Sequence, residues 1–327
     1  MIKSKIIRAS ATATAILTLL LSCGAGKKTQ LPEENVDASS FEETSILFSP
    51  DSAYTYVAKQ VKFGPRVPGS DAHRLCGNWL SEKFKSFGAE VSEQKATLTT
   101  FDGTKIPMRN IFARINPDLD KRILLIAHWD SRPWADHDPD PDKRSYPVDG
   151  ANDGASGAGV LLELARILPK DASGIGVDFL LCDAEDWGEE SNDESWALGA
   201  RHFAQNLPIE GYMPSAAILL DMVGAENATF MREYFSQLAN PALADEIWSI
   251  AKNLGHEKKF VNRMGSAVND DHVELIKAGI PTIDIIDYRD GSGFFDGWHT
   301  TSDNMDCISR QTLGAVGSTL ETYIKKQ

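Results

Sequence analysis

Residues 122 to 128 read RILLIAH, and the chain continues Trp129-Asp130-Ser131. A short unbroken apolar run is the pattern of a strand buried on both faces, as in a parallel sheet covered by helices. This run ends by releasing one polar residue, His128. GVDFLLCDAED (176 to 186) repeats the pattern and leads to Asp186, and SAAILLD (215 to 221) leads to Asp221. Asp153 in GANDGASG (150 to 157) and His299 in GWHTTSDN (297 to 304) are expected at strand ends too. In an open α/β sheet those ends share the crevice at the carboxyl edge, where such folds bind ligands. Carboxylates and imidazoles gathered there suit zinc or a similar divalent ion.

The segments around these strands read as helices. Residues 52 to 62 and 71 to 87 have helical periodicity, with Leu75, Trp79, Leu80, Phe84 and Phe87 on one side. GPRVPGS (64 to 70) between them is an ordered turn. Further helices are expected from the small residues after Asp153 through Ile167, from near Ser195, over 241 to 254, over 271 to 278 and over 309 to 326. A strand is expected over 281 to 286. Strand and helix alternating in this way predict a three-layer α/β/α sandwich around a mostly parallel, mixed central sheet. Residues 131 to 150 form a long Asp- and Pro-rich loop, and a loop of that length beside a site is more often functional than idle.

The 327 residues carry a formal net charge of -14. Lys3, Lys5 and Arg8 precede an apolar stretch through Leu21, and Leu20-Leu21-Ser22-Cys23 has the form of a lipobox. Residues 1 to 22 therefore read as a lipoprotein signal and Cys23 as the lipidated residue. Residues 23 to 42 read as a flexible tether, and 43 to 327 as one large α/β domain. The protein is expected at a bacterial cell envelope, lipid-anchored and facing the periplasm, touching membrane through its anchor alone, and monomeric. Without the three leader cations the charge becomes -17, which argues against nucleic acid and favours cationic ligands such as peptides with a free amino terminus. Cys76, Cys182 and Cys307 remain, an odd number that excludes full pairing, and Cys182 reads as an inert core thiol.

Taken together, HWDS, GANDGASG, the Glu185-Asp186 pair, LLDMVGA, NDDH and WHTTSDN resemble, in order, the M28 zinc exopeptidase superfamily. Within it the chain resembles the glutaminyl cyclase branch, the animal-type glutaminyl-peptide cyclotransferases also found in bacteria. The resemblance runs from GPRVPGS to WHTTSDN. It implies one zinc ion held by Asp153, Asp186 and His299, with a fourth position for substrate. It also implies Glu185 as proton shuttle, with Asp221 and Asp270 sharing its hydrogen-bond network. Where that branch commonly has Glu-Glu, this chain has Glu185-Asp186. Trp196 and Trp298 resemble the aromatic pocket walls, and Val268 and Asn269 fall at the pocket entrance. Asp130 is expected to orient neighbouring side chains, and Asp271 and His272 to cap the helix that starts there. Trp134 reads as part of a solvated loop. His73, His202 and His256 fall in expected helices and carry no site signal.

On this reading the α-amine of an amino-terminal glutamine attacks its own side-chain carbonyl, ammonia leaves, and a pyroglutamyl lactam forms. Two alternatives stand beside it. A two-zinc aminopeptidase would use His128 and Asp221 as further ligands and cut the first peptide bond. A non-catalytic lipoprotein would keep the fold to bind peptides or glycans.

Overall fold

The computed structural model describes residues 45–168, 174–289, 291 and 293–327. The signal segment, Cys23 and the tether to residue 42 lie outside the described residues, as do the first two residues of the expected domain. The chain opens with helices α1 (Pro50–Val61) and α2 (Asp71–Ser86), then β1 (Glu90–Thr99), β2 (Lys105–Ile115) and β3 (Arg122–His128). Helix α3 (Ala155–Ile167), β4 (Gly176–Cys182), α4 (Leu198–Gln205) and β5 (Ala216–Asp221) follow. The last part holds β6 (Phe230–Arg232), α5 (Tyr234–Ala239), α6 (Pro241–Asn253), β7 (Phe260–Met264), α7 (Asp271–Lys277), β8 (Thr282–Ile286) and α8 (Arg310–Lys325).

Six strands form the main sheet in the order β1-β2-β4-β3-β5-β8. The four from β4 to β8 run parallel, and β1 and β2 add an antiparallel hairpin at one edge. The apolar runs are buried on both faces as expected. On β3, Ile123, Leu125 and Ala127 join the cluster that includes α1, α3 and α8, while Leu124 and Ile126 pack with Phe203 of α4 and Leu275 of α7. That alternation is the period of a strand feeding two helical layers.

Three local expectations change. Asp153 and His299 do not end strands: Asp153 lies in the turn before α3, and His299 in a turn between Phe295 and Asp303. The helix expected near Ser195 begins at Leu198, because residues 193 to 195 form one turn of 3-10 helix instead. His256 lies beyond the end of α6, where its backbone N–H closes the turn onto Ala251. The hairpin of β1 and β2 was not anticipated. Its outer strand is half exposed along its length, and Pro107 in β2 weakens any strand signal.

Two fully buried glutamates fix the front of the domain. Glu321 on α8 accepts from the backbone N–H groups of Leu47 (2.9 Å) and Phe48 (2.8 Å), and Glu163 on α3 accepts from Ser49 (3.0 Å). Lys325 and Arg166 lie against these carboxylates and keep their charges paired. Among the described residues, no helix is long and apolar enough to cross a membrane.

Candidate active site

The parallel strands deliver their polar residues to one edge of the sheet. His128 is the last residue of β3, Asp221 the last of β5, and Glu185-Asp186 follow the end of β4 by three and four residues. Asp153 directly precedes Gly154, whose φ of 94° starts α3 from a conformation only glycine adopts cheaply. Ala184, Ala197, Met222 and His299 also have positive φ, and all four border this edge. Non-glycine residues in that region carry a local cost, tolerated where the surroundings over-determine the backbone.

Asp153, Asp186 and His299 each offer a donor atom within 4.8 Å of the others, and all three are buried. His299 Nε2 lies 3.0 Å from Asp186 Oδ1 and 3.8 Å from Asp153 Oδ2. Both Asp186 oxygens are buried without a hydrogen-bond partner. Carboxylate oxygens left unpaired beside an imidazole nitrogen fit a divalent cation and are costly otherwise. A second trio, His128, Asp153 and Asp221, shares Asp153: His128 Nε2 lies 2.9 Å from Asp153 and 3.1 Å from Asp221. The donor set therefore fits one ion or two.

The electrostatics agree with a cation site. Burial, with the neighbouring Asp153 charge, pushes the Asp186 carboxyl well above the usual carboxylate range. Burial and the Asp186, Asp270 and Asp271 charges do the same to Glu185, and burial with Asp270 raises Asp221 to about 7. Burial holds His299 well below the usual histidine range, so it stays neutral and its nitrogen is free to ligate. Such a cluster binds protons until a cation displaces them.

Two residues brace the acidic loop. Asp130 accepts from the backbone N–H groups of Glu185 (3.2 Å) and Asp186 (3.3 Å), and lies 3.5 Å from His128 Nδ1, the orienting role expected of it. Arg132, almost fully buried, donates to the carbonyls of Asp186 and Gly188 and pairs with Asp136. Its guanidinium lies between Trp134 and Trp196, 5.0 and 4.9 Å from the rings. Asp136 in turn lies 3.6 Å from His299 Nδ1. Arg132 and Asp136 were not singled out from sequence; their place in the long loop after β3 was the available signal.

Beside these groups opens a cavity of about 700 Å³, lined by Glu185, Asp270, Trp196, Trp298, Val268 and Asn269 among others. Trp298 stacks on His299 at 3.7 Å between ring centroids, and Trp196 lies parallel to the same imidazole at 5.9 Å. His137, missed from sequence, sits edge-on to Trp298 and reaches Glu190 at 2.6 Å, joining the long loop to the acidic one. Trp134 does not line the cavity and packs against Phe101 and Trp187.

The cap of α7 is also corrected. Asp270 itself is the N-cap residue and accepts from the Asp271 N–H, so Asp271 and His272 are the first helical residues. His272 faces Glu233, 3.1 Å away, whose carboxylate its proximity helps hold down at about 2 against the cost of burial. His73 is no idle helix residue either. It meets the buried Asp183 at 2.9 Å, two residues before Glu185, and stacks on Trp129.

Residues 110–324 match the sequence model of peptidase family M28. The solved structure of Porphyromonas gingivalis glutaminyl cyclase is 49% identical and superposes with a TM-score of 0.85, over 86% of this chain and 100% of that one. A Zn-dependent exopeptidase from Parabacteroides distasonis is 48% identical, with a TM-score of 0.84 over 86% and 99% of the two chains. The glutaminyl-peptide cyclotransferase of Bos taurus is 24% identical over 289 residues, 79% of this chain and 77% of that protein. The buried Asp153, Asp186 and His299 trio, the acidic pair beside it and these relatives lead to one assignment: the chain belongs to peptidase family M28, on its glutaminyl cyclase branch.

Proposed function

We propose that the protein is a zinc-dependent glutaminyl cyclase that converts amino-terminal glutamine of peptides and proteins to pyroglutamate, with release of ammonia. The observation that carries the reading is the composition of one cavity. Glu185 and Asp270 stand in it beside the Asp153, Asp186 and His299 trio, with Trp298 stacked on the imidazole as an apolar wall. Together with the solved cyclase relatives, this favours a small amide side chain as the group that enters.

Asp153, Asp186 and His299 would hold one zinc ion. When bound, it supplies electrophilic polarisation of the substrate's side-chain carbonyl oxygen and stabilises the negative charge developing there. The remaining steps fall to the chain. Trp298 and Trp196 exclude water from the side-chain amide and hold it flat. Glu185 takes a proton from the α-amine as the new bond forms between that nitrogen and the amide carbon. It then hands the proton to the departing amide nitrogen, which leaves as ammonia when its carbon–nitrogen bond breaks. Burial and the Asp186, Asp270 and Asp271 charges around Glu185 raise its proton affinity, which suits a group that takes and returns a proton. Because nucleophile and electrophile belong to one residue, orientation supplies much of the acceleration.

The test is mass spectrometry of a Gln-initiated peptide incubated with the protein, with and without a chelator. Loss of one ammonia from an otherwise intact peptide, abolished by the chelator and restored by one equivalent of zinc, is expected. Release of free glutamine with two metals per chain would replace this reading by the aminopeptidase, with His128 and Asp221 as ligands. Trp298→Ala is expected to lower kcat/KM by roughly 10- to 100-fold, since apolar surface of this size covered by a bound side chain contributes about 1.5–3 kcal/mol. An unchanged value would remove Trp298 from the substrate site. Lipid attachment at Cys23 and a periplasm-facing position, supported by the lipobox and the tether composition, complete the proposal, together with a monomeric state.

A further inference from the structure

Asp153 and His299 are 146 residues apart in the chain, yet to share one ion their donor oxygen and nitrogen must each sit about 2.0–2.2 Å from it. Their loops are joined by a residue that is in neither ligand trio. Asp303, fully buried in the turn that follows His299, accepts from the backbone N–H of Asn152 at 2.7 Å with one carboxylate oxygen. With the other it accepts from the N–H of Asp153 at 3.1 Å. Its own carbonyl accepts from Ala151 at 3.3 Å, and its N–H donates to Thr300, next to His299, at 3.2 Å. Three consecutive N–H groups of one loop thus end on a single residue of the other.

The ligand loop is also held from its opposite side. Arg66, buried completely, donates to the carbonyls of Trp129, Asp149 and Gly150, while the Asn152 side-chain oxygen accepts from Gly224. None of these bonds uses a carboxylate oxygen of Asp153 or the Nε2 of His299. The whole assembly can therefore exist before any metal arrives.

We propose that Asp303 is a positioning residue that locks the Asp153 loop to the His299 loop, so that two ligands far apart in sequence are presented as one preassembled pair. This rests on the reading that both residues hold the zinc. Aspartate is suited to the task because its two carboxyl oxygens offer separate acceptors to the two backbone donors that face them. Asparagine at this position keeps one acceptor and turns an NH2 group toward the second N–H, removing one bond and opposing two donors.

The test is the zinc affinity of Asp303→Asn, measured by competition with a chromogenic chelator, alongside the melting temperature of the metal-free protein. A dissociation constant raised by roughly 10- to 100-fold is expected, the usual effect of losing a residue that orients metal ligands. The added melting temperature conferred by zinc should shrink as well. An unchanged dissociation constant with a lowered metal-free melting temperature would mean a purely structural role and overturn the proposal. Hydrogen exchange on the wild-type protein decides the case even if the variant does not fold. The Asn152 and Asp153 amides are expected to be equally protected with and without zinc, and exchange of both at unprotected rates in the metal-free protein would refute preassembly. A wild-type protein that takes up no zinc would overturn the metal centre itself, an outcome distinct from an unchanged Asp303→Asn affinity.

Discussion

Glu185→Gln is expected to cut turnover of a Gln-initiated peptide by about two to four orders of magnitude, the usual share of a positioned acid–base group, while leaving zinc content unchanged. The amide copies the carboxylate in size, so the loop need not move. That loop is held through backbone N–H groups of residues 185 and 186 on Asp130 and through backbone carbonyls on Arg132, none of which the substitution touches. What is lost is a base. Glutamine cannot take the proton of the attacking amine, so the lactam nitrogen would have to form while still positively charged. Pyroglutamate formation and zinc per chain, measured on the same preparation, separate the two consequences. Most of the activity surviving in a fully loaded variant would assign the proton transfer elsewhere, with Asp270 the next group in the cavity.

The second large effect lies at the opposite edge of the sheet and concerns stability. Asp178, near the start of β4, is completely buried and would be an uncompensated charge but for three neighbours. Arg122 at the start of β3 donates to both of its oxygens, the Tyr212 hydroxyl donates at 2.7 Å, and Arg114 lies 3.4 Å away. Arg122 also holds the carbonyls of Ile115, Asn116 and Leu119, closing the loop between β2 and β3. Arg122→Met keeps the length of the side chain and removes every one of those donors. Because breaking a buried pair strands the remaining charge, the expected loss is about 3–5 kcal/mol, read from urea denaturation. Catalysis should be unaffected below the unfolding transition, since the amino ends of β3 and β4 face away from the cavity. A loss under about 1 kcal/mol would mean that Arg114 and Tyr212 suffice for Asp178.

Arg122 also illustrates what the amino-acid order reveals and what it conceals. The strands that carry His128, Asp186 and Asp221 were legible because burial on both faces demands unbroken apolar runs, and the residue released at the end of each run is visible as an exception. The family motifs supplied Asp153, His299 and Glu185, although the turns that hold the first two were mistaken for strand ends. Gly154 before α3 and the left-handed backbone of His299 do that work, and a positive φ at a histidine leaves no mark in composition. Arg132, Asp136, His137 and Asp303 were not assigned roles because each acts on a partner from another loop. Asp303 stands in the quoted WHTTSDN stretch, but its two acceptors matter only once the turn at Asn152 is folded beside it. The β1–β2 hairpin went unread for a simpler reason. Its outer strand, EVSEQKATLT, is only half covered and has no two apolar residues in succession, so no apolar run announces it.

The two glutamates that hold the front of the domain bear on how the molecule takes a mechanical load. The backbone N–H groups of Leu47, Phe48 and Ser49 are gripped by Glu321 and Glu163, which belong to the last helix and to α3. A force applied to the chain ahead of Ser45 is therefore divided between two helices before it reaches α1, and both pack on the same face of the central sheet. The layer that carries the load is the one joined to the sheet by the largest apolar cluster. Peeling residues 47 to 49 away therefore requires α3 and α8 to give up those bonds together.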